Sequence, residues 1–429
     1  MPLDTTCIGA WPKPDYVPIT DWFQVGHDAR DYNDRVLKSW NENPEIQQAL
    51  DRATAEAGGD HIAFGIDIPT DGEIRRENYV HYQCRHFDGF DFQNLAHRVL
   101  RNGAYAADLP AIRGPVRARG QSVLVRDWQV AQAASDRPVK ITLPGPMTIS
   151  DTTADEYYDD PERLAADLGA ALNREVRALA EAGCRYIQID EPIFARKPAE
   201  ALAYGVEALA TCFEGVPGNV TRVMHMCCGY PNRLDDTDYP KADPDAYRRI
   251  ARAVDGVVDQ ISIEDAHRHN PADLFGLFGR SALIVGFVTV ASSRVETVDE
   301  IRARMREVLE HLPAERLLAA PDCGLGFLGR DLAMRKLRNL TEAARSVGRA
   351  AKDQLSRQRA RSASRKSDSR LPRSTRKRPR GSAREMRSTR NIRKSARVSH
   401  HARSVQTLPQ NPRPSGRTVR RVPVPWASR

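Results

Sequence analysis

Eight short, almost continuously apolar runs follow one another along the chain, and segments with helical periodicity lie between several of them. In chain order the runs read TTCIGAW, HIAFGID, VKITLPG, YIQID, TRVMHMC, DQISIED, ALIVGFVTV and RLLAAPD. Continuous apolar character is typical of parallel strands that are covered on both faces. Strands alternating with helices indicate βα units, and eight such units predict an α/β fold closed into a (β/α)8, or TIM, barrel.

The helical segments carry recognisable start and stop signals. The clearest segment spans 161–182, where leucine and valine recur on one face. Asp160 is suited to cap its first turn, Pro161 to begin it and Gly183 to end it. Similar patterns predict three further helices, at about 44–57, 297–312 and 330–347.

Charge is divided very unevenly along the chain. The net charge of +9 comes from 65 Lys+Arg and 56 Asp+Glu. Segment 351–429 holds 24 of the basic and 3 of the acidic residues, which leaves 41 basic and 53 acidic residues before it. We therefore expect an acidic barrel domain over 1–348, followed by a basic tail rich in Arg, Ser and Pro over 349–429.

The basic tail has no sustained apolar period. It cannot bury enough apolar surface to offset the entropy of ordering, so we expect it to be disordered. One interpretation is non-specific electrostatic attachment to nucleic acid. Its single aromatic residue, Trp426, and its lack of a recognition motif favour a solvated segment without a specific role.

Targeting signals and cysteine usage bear on the compartment. No apolar run approaches the length that a membrane span needs, and the first residues lack the basic and apolar regions of a signal peptide. The seven cysteines are an odd number in a long chain, which favours reduced thiols over a disulfide framework. These features predict a cytoplasmic protein.

Chemically capable side chains collect where the apolar runs end. The active sites of (β/α)8 barrels lie at the C-terminal ends of the strands. These side chains are Asp190, Glu191, His225, Cys227, Glu264, Asp322 and Cys323. This coincidence of chemistry with strand ends predicts one active site at that face of the barrel.

Four of these residues suit a metal ion. His225 and Cys227 share one face of a strand, and Glu264 and Cys323 end later strands, so all four can converge. Thiolate, imidazole and carboxylate ligands together suit Zn²⁺, which would activate a substrate thiol by stabilising its thiolate form.

Simpler interpretations of the same residues exist. His225 beside Cys227 is also the pattern of a buried histidine next to a buried cysteine, and Glu264 is also a possible helix cap. His267 or His269 could replace Glu264 as a ligand. The remaining cysteines are expected to be packing residues, and they are Cys7, Cys84, Cys184, Cys212 and Cys228.

Taken together, these segments resemble the catalytic barrel of cobalamin-independent methionine synthase. HMCC at 225–228, IED around Glu264 and PDCG at 321–324 resemble its zinc site, which uses His, Cys, Glu and Cys in this order. YIQIDEP at 186–192 and TDGE at 70–73 resemble the segments that hold the amino group of homocysteine. TTCIGAWP at 5–12 resembles the strand whose backbone binds the homocysteine carboxylate. The resemblance spans about 5–348.

The resemblance implies a zinc-dependent transfer of a methyl group to the thiol of homocysteine, which forms methionine. Zinc would be held by His225, Cys227, Glu264 and Cys323. The acceptor would be bound by Ile8, Gly9 and Ala10 of the first strand together with Glu73 and Asp190. In this interpretation Asp190 and Glu73 form charge-assisted bonds to the substrate ammonium. A purely structural alternative pairs them with Arg75, Arg76 or Arg196.

Three positions depart from the family pattern on the side of the methyl donor. Thr152 stands where the family has a Trp, Arg196 where it has a folate-contacting Glu, and Ala291 where it has a proton-donating His. The donor is therefore either a folate, as in 5-methyltetrahydropteroyltriglutamate–homocysteine methyltransferase, or a corrinoid.

Three other functions compete with this one. A zinc-dependent alkyltransferase could act on another thiol, as epoxyalkane:coenzyme M transferase does. A metal-free barrel similar to uroporphyrinogen decarboxylase would leave His225, Cys227 and Cys323 unexplained. A barrel that acts only as a scaffold, with the basic tail binding RNA, is the non-enzymatic alternative.

Overall fold

The computed structural model describes residues 3–19, 42–100, 105–229, 234–236 and 241–348. The predicted tail at 349–429 lies outside the described residues, so its predicted disorder stays a prediction. Among the described residues, every helix is either too short or too polar to span a lipid bilayer.

Ten strands form within these ranges. They are β1 (Asp4–Thr5), β2 (Phe87–Leu100), β3 (Tyr105–Ala118), β4 (Lys140–Pro144), β5 (Ala154–Asp155), β6 (Tyr186–Asp190), β7 (Thr221–Met226), β8 (Gln260–Ile263), β9 (Ala282–Val288) and β10 (Leu317–Pro321). The principal helices are α1 (Pro44–Ala63), α2 (Tyr79–Cys84), α3 (Val123–Ala133), α4 (Pro146–Asp151), α5 (Pro161–Glu181), α6 (Pro192–Arg196), α7 (Val206–Cys212), α8 (Ala246–Val254), α9 (Val298–Leu309) and α10 (330–348).

Seven parallel strands form the main sheet, in the order β1-β10-β9-β8-β7-β6-β4. The two edge strands are joined by the segment at 66–70, because Thr6 pairs with Ile68 and Thr70 pairs with Lys140, both in parallel. That segment occupies the position of the eighth strand, so the sheet closes on itself. The (β/α)8 barrel predicted from the apolar runs is confirmed, and every residue of β4 and of β10 is buried.

One of the eight predicted strands was misplaced. The run HIAFGID was expected to be a strand from its first residue, but α1 continues through Ala63. His61 lies on the inner face of this helix, where its ring contacts Trp11 edge-on. The first residues of the apolar run therefore form the last turn of a packed helix. The segment in the eighth strand position begins only after Gly65, which has a positive φ of 84°.

The predicted helix ends are formed by the residues that signalled them. The Asp160 carboxylate accepts hydrogen bonds from the backbone N–H groups of Glu162 and Arg163, both at 3.1 Å, at the start of α5. Gly183 follows α5 with a φ of 103°, a conformation that favours glycine. Thr297 and Glu300 cap α9 reciprocally. The helix expected at 44–57 extends to Ala63.

A long antiparallel hairpin was not predicted. β2 pairs with β3, and β3 also pairs with β5, in a separate three-stranded sheet. Register shifts in β2, between Asp88 and Phe90 and again between Asp91 and Ala96, interrupt the alternation that would have marked a strand. Arg113 of β3 forms ion pairs with Asp91 of β2 at 2.6 Å and with Glu156, which follows β5, at 2.8 Å.

Candidate active site

Three predicted metal ligands come together at the C-terminal end of the barrel. The donor atoms of His225, Cys227 and Cys323 all lie within 4.8 Å of one another, and all three residues are buried. His225 Nε2 is 3.3 Å from Cys323 Sγ. β7 supplies the first two residues at its end, and the turn after β10 supplies the third. Parallel strands whose ends meet at one rim explain this convergence.

The imidazole of His225 is oriented by a neighbouring strand. His225 pairs in register with Ser262 of β8, and its Nδ1 lies 2.9 Å from Ser262 Oγ. This contact leaves Nε2 facing the two sulfur atoms. A hydrogen bond to the distal ring nitrogen is the usual way in which proteins fix a metal-binding histidine.

The surroundings of Cys227 favour the thiolate. Hydrogen bonds from Cys323 and from His225 hold the pKa of Cys227 well below its usual value, although burial opposes them, and the positive charge of Arg196 acts in the same direction. Cys228 points elsewhere and donates to Tyr247 Oη at 3.2 Å, as its predicted packing role requires. An anionic sulfur beside an imidazole is the donor chemistry that Zn²⁺ prefers.

Glu264 lies close to this group without belonging to it. It is buried at the end of β8, and its carboxylate accepts the backbone N–H of Cys228. Burial, together with the negative charges of Cys227 and Asp322, raises its pKa well above the usual value. The alternative ligands, His267 and His269, are exposed. Glu264 therefore stays the predicted fourth ligand.

The two predicted amine-binding carboxylates share a second part of the site. Asp190 ends β6, and its Oδ1 accepts Gln188 Nε2 at 2.7 Å. Glu73 has a positive φ of 53°, and its Oε1 accepts Thr142 Oγ1 at 2.6 Å. Burial, and then the charge of Glu73, raises the pKa of Asp190 well above its usual value. Two carboxyl groups in such a setting favour a cationic ligand.

The segment at 8–10 was expected to belong to the first strand, but it follows β1, and it approaches these carboxylates through its backbone. The carbonyl oxygen of Ile8 accepts Gln188 Nε2 at 2.9 Å. A Cβ atom at Gly9 would lie 2.3 Å from Glu73 Oε1, so a side chain there would displace the Glu73 carboxylate. The carbonyl oxygen of Ala10 accepts the N–H of Leu325 at 2.7 Å, which places it beside the turn that carries Cys323. The predicted substrate segments thus meet at one rim.

Of the arginines named as possible partners of the acid pair, Arg76 contacts Glu73. Arg76 is buried 3.6 Å from Glu73 and 3.3 Å from Asp71, whereas the buried Arg75 pairs with Asp127 at 3.5 Å. Sequence analysis missed Lys140, whose Nζ has no hydrogen-bond partner within the described part of the chain. Burial lowers its pKa to about 8, against the opposing charges of Cys7 and Asp190.

Tyr79, at the start of α2, was also missed. Burial raises the pKa of its hydroxyl well above the usual value, and the charges of Asp190, Cys227, Glu73 and Cys323 act in the same direction. Its hydroxyl is therefore near enough to feel the charges of both the acid pair and the sulfur atoms. No sequence pattern marks it, because its position depends on how the segment after TDGE folds back.

Glu191, Thr152 and Ala291 form hydrogen bonds to backbone groups. The carboxylate of Glu191 accepts the backbone N–H groups of Met147 and Thr148 at 2.9 and 3.0 Å, at the start of α4. Thr152 donates to the Thr148 carbonyl at 2.7 Å at the end of the same helix. The Ala291 carbonyl accepts the N–H of Asp235 at 2.9 Å.

Fold and site together define a class of protein. A closed (β/α)8 barrel with a buried His–Cys–Cys group and a carboxyl pair at its catalytic rim is an enzyme scaffold whose site suits a thiolate-bound metal. Residues 3–346 match the family described as the cobalamin-independent synthase catalytic domain. The chain belongs to the cobalamin-independent methionine synthase family, whose members are homocysteine S-methyltransferases.

Individual relatives agree with this assignment. A methionine synthase of Saccharolobus solfataricus is 33% identical over 350 residues, which are 80% of this chain and 95% of that protein. A methionine synthase of Sulfolobus acidocaldarius is 30% identical over 344 residues, 79% of this chain and 91% of the relative. The structure of a B12-independent methionine synthase from Shewanella sp. in complex with selenomethionine superimposes with a TM-score of 0.70 at 28% identity, covering 83% of this chain and all of that one.

Proposed function

We propose that this protein is a zinc-dependent methyltransferase that methylates the thiol of homocysteine and so forms methionine. The observation that carries the proposal is that two unlike groups lie at one rim of the barrel. One is the His225, Cys227 and Cys323 group, and the other is the pair of Asp190 and Glu73. A thiol amino acid has a sulfur for the first group and an ammonium for the second.

The residues present fit zinc. His225 presents Nε2 because Ser262 occupies Nδ1, and Cys227 is held toward its thiolate form beside Cys323. These three residues would hold the metal, and Glu264 would serve as the fourth ligand. When bound, zinc would supply the positive charge that keeps the acceptor sulfur as a thiolate near neutral pH.

The rest of the site binds and orients the amino acid. The carboxylates of Asp190 and Glu73 would bind the ammonium, since a cation stabilises their ionised forms against the burial and the repulsion that raise the pKa of Asp190. Thr142 and Arg76 both contact the Glu73 carboxylate and so orient it. The backbone of Ile8, Gly9 and Ala10 would bind the substrate carboxylate, and Gly9 leaves Glu73 the space it needs.

We propose a corrinoid rather than a folate polyglutamate as the methyl donor. At the positions where the family's folate-using members have Trp, Glu and His, this chain has Thr152, Arg196 and Ala291. Thr152 has no aromatic surface and its hydroxyl already donates to the Thr148 carbonyl, and the methyl side chain of Ala291 cannot donate a proton. The positive charge of Arg196 acts on Cys227, where the family has a carboxylate.

Methionine formation tests the proposal directly. Zinc-loaded protein and homocysteine should yield methionine with methylcobalamin, and much less with methyltetrahydrofolate or its polyglutamate. Cys323→Ser is the matched inactive control. Efficient turnover with the folate would overturn the donor assignment alone. No methionine with any donor, together with alkylation of 2-mercaptoethanesulfonate, would overturn the acceptor assignment and favour the coenzyme M-type alternative.

Two further assignments belong to the proposal. We place the catalytic barrel at 1–348 and a separate basic tail at 349–429, supported by the charge division and by a family match that ends at 346. We also assign the protein to the cytoplasm. Support comes from its cysteines, because none of the seven, all within the described residues, forms a disulfide.

A further inference from the structure

The two loops that carry Glu264 and Cys323 are tied to each other by one carboxylate. Asp322 precedes Cys323, and its Oδ1 accepts the backbone N–H groups of Asp265 and Ala266, each at 2.9 Å. Its Oδ2 accepts the N–H of His267, also at 2.9 Å. Three consecutive N–H groups that follow Glu264 are therefore fixed by the residue next to Cys323.

The intervening strand leaves space for this contact. β9 lies between β8 and β10, and Asp322 reaches across it at Gly286. A Cβ atom at Gly286 would lie 2.2 Å from Asp322 Oδ1, so a side chain there would displace the carboxylate. The backbone also contributes, since the Asp322 N–H donates to the Val288 carbonyl at 2.9 Å. Both the carboxylate and the backbone N–H of Asp322 are therefore hydrogen-bonded, and the residue is 1% exposed.

Asp265, the residue after Glu264, is itself held by side-chain contacts. Its carboxylate accepts hydrogen bonds from Arg304 Nε at 2.6 Å and from Arg304 Nη2 at 2.8 Å. It also accepts the N–H and the side-chain amide of Asn270, both at 3.0 Å. The same amide donates to the Glu264 carbonyl at 2.7 Å. The backbone of Glu264 is thus fixed from both sides.

We propose that Asp322 is a positioning residue for the metal site. It keeps the backbone of Glu264 at a fixed spacing from Cys323 before a metal binds, and Arg304 supports it through Asp265. The inference rests on the proposed function, because it assumes that Glu264 and Cys323 are ligands. Its physical basis is preorganisation: ligands already held in place lose less conformational freedom when the ion binds.

The chain contains a matched control at the opposite end of the barrel. Asp255 accepts the consecutive backbone N–H groups of Gly279 at 2.9 Å, Arg280 at 3.0 Å and Ser281 at 2.9 Å. Asp255 and its partners lie before the N-terminal ends of β8 and β9, whereas Glu264 and Cys323 follow the C-terminal ends of β8 and β10. Asp255→Asn therefore removes a similar carboxylate contact from a loop that is remote from the metal ligands.

The experiment compares zinc affinity of the full-length chain and of the variants Asp322→Asn and Asp255→Asn, by competition with a chromophoric chelator. Loss of a residue that supports a metal ligand typically costs about 10- to 100-fold in metal affinity. We expect a loss of that size for Asp322→Asn and little change for Asp255→Asn. At saturating Co²⁺, the absorption bands of Asp322→Asn should differ from those of the unaltered protein, while those of Asp255→Asn should not.

The outcomes separate the inference from the proposed function. If the unaltered chain binds no stoichiometric zinc, the proposed metal site fails. If it binds zinc and the two variants lose affinity equally, or neither loses any, the inference about Asp322 fails. If Asp322→Asn does not fold, Arg304→Gln decides the question. It should weaken zinc binding by a smaller factor, and affinity equal to that of Asp255→Asn overturns the proposal.

Discussion

The two halves of the barrel rim differ in what their side chains do. In the acceptor half, formed by Asp190, Glu73, His225, Cys227 and Cys323, side chains from separate strands point to shared centres. In the proposed donor half, formed by Thr152, Arg196 and Ala291, the bonds of two residues are to backbone and neighbouring groups: Thr152 donates to the Thr148 carbonyl, and the Ala291 carbonyl accepts the N–H of Asp235. Under the proposed function, the residues that bind the thiol amino acid are present, whereas the positions expected to contact a folate carry other side chains.

Replacing a cysteine of the acceptor half should have the largest effect, and that effect should be on zinc binding. Cys227→Ser or Cys323→Ser replaces a thiolate with a hydroxyl that Zn²⁺ binds poorly, so stoichiometric zinc should be lost. The affinity should fall by more than the roughly 10- to 100-fold that loss of a supporting residue causes. Zinc content of the purified protein measures it, with Cys228→Ser as the matched control. Full occupancy in either ligand variant would show that the ligands lie elsewhere.

Neutralising one carboxylate of the acceptor half should have the next largest effect. Asp190→Asn removes a charge-assisted hydrogen bond to the ammonium, which typically costs about 1.5–3 kcal/mol, or roughly 10- to 150-fold in affinity. Calorimetric titration with homocysteine should show this loss. Binding of 2-mercaptoethanesulfonate, which has no ammonium, should change little. Equal binding of both thiols by the unaltered protein would remove the case for an amino-acid acceptor.

The same carboxylate should make binding of the amino acid depend on pH. Burial and Glu73 raise the pKa of Asp190 in the empty site, whereas a bound ammonium favours its ionised form. Affinity should therefore fall at pH values below that raised pKa and increase as pH rises through it, with release of a proton on binding. Methionine is the suitable ligand because it has no thiol proton.

Calorimetry of methionine binding in buffers of different ionisation enthalpy gives the number of protons released. The pH dependence should be much weaker in Asp190→Asn. Proton uptake, or an unchanged profile in that variant, would contradict the assignment of Asp190 to the ammonium.

Deleting 351–429 should have the smallest effect. The family match ends at 346, and the described helix α10 runs to 348, so the barrel is complete without the deleted segment. Zinc content and melting temperature should be unchanged, whereas salt-sensitive binding to nucleic acid, if present, should be lost with the tail. A large drop in melting temperature on deletion would show that the segment packs on the barrel.

Strand order and the sulfur-rich group could be predicted because both leave local signals. Continuous apolar runs mark strands buried on both faces, and a strand ending in His225 and Cys227 directs both side chains to one side. The exception is HIAFGID, where a buried helical turn has the same apolar character as a strand. The β2–β3 hairpin was not predicted because its bulges interrupt the alternation of apolar and polar residues that marks a strand.

The rest of the site depends on contacts between distant segments. The hydroxyl of Tyr79 feels the charges of Asp190, Cys227 and Cys323, which are far from it in the sequence. The carboxylate contacts of Asp322 join residues more than 50 positions apart. Lys140 did leave a usable signal, since a single lysine inside the apolar run VKITLPG indicates a buried cation. Lys140 lies at the start of β4, whereas active-site residues of a (β/α)8 barrel are expected at the C-terminal ends of the strands.

The central claim is that one acceptor molecule spans the acid pair and the metal group. Selenium X-ray absorption on the zinc-loaded protein with selenohomocysteine tests it most directly. We expect a zinc neighbour at bonding distance from selenium, lost in Cys323→Ser and reduced in occupancy in Asp190→Asn. Selenohomocysteine that binds tightly to zinc-loaded protein but shows no zinc neighbour would contradict binding of one acceptor molecule to both groups.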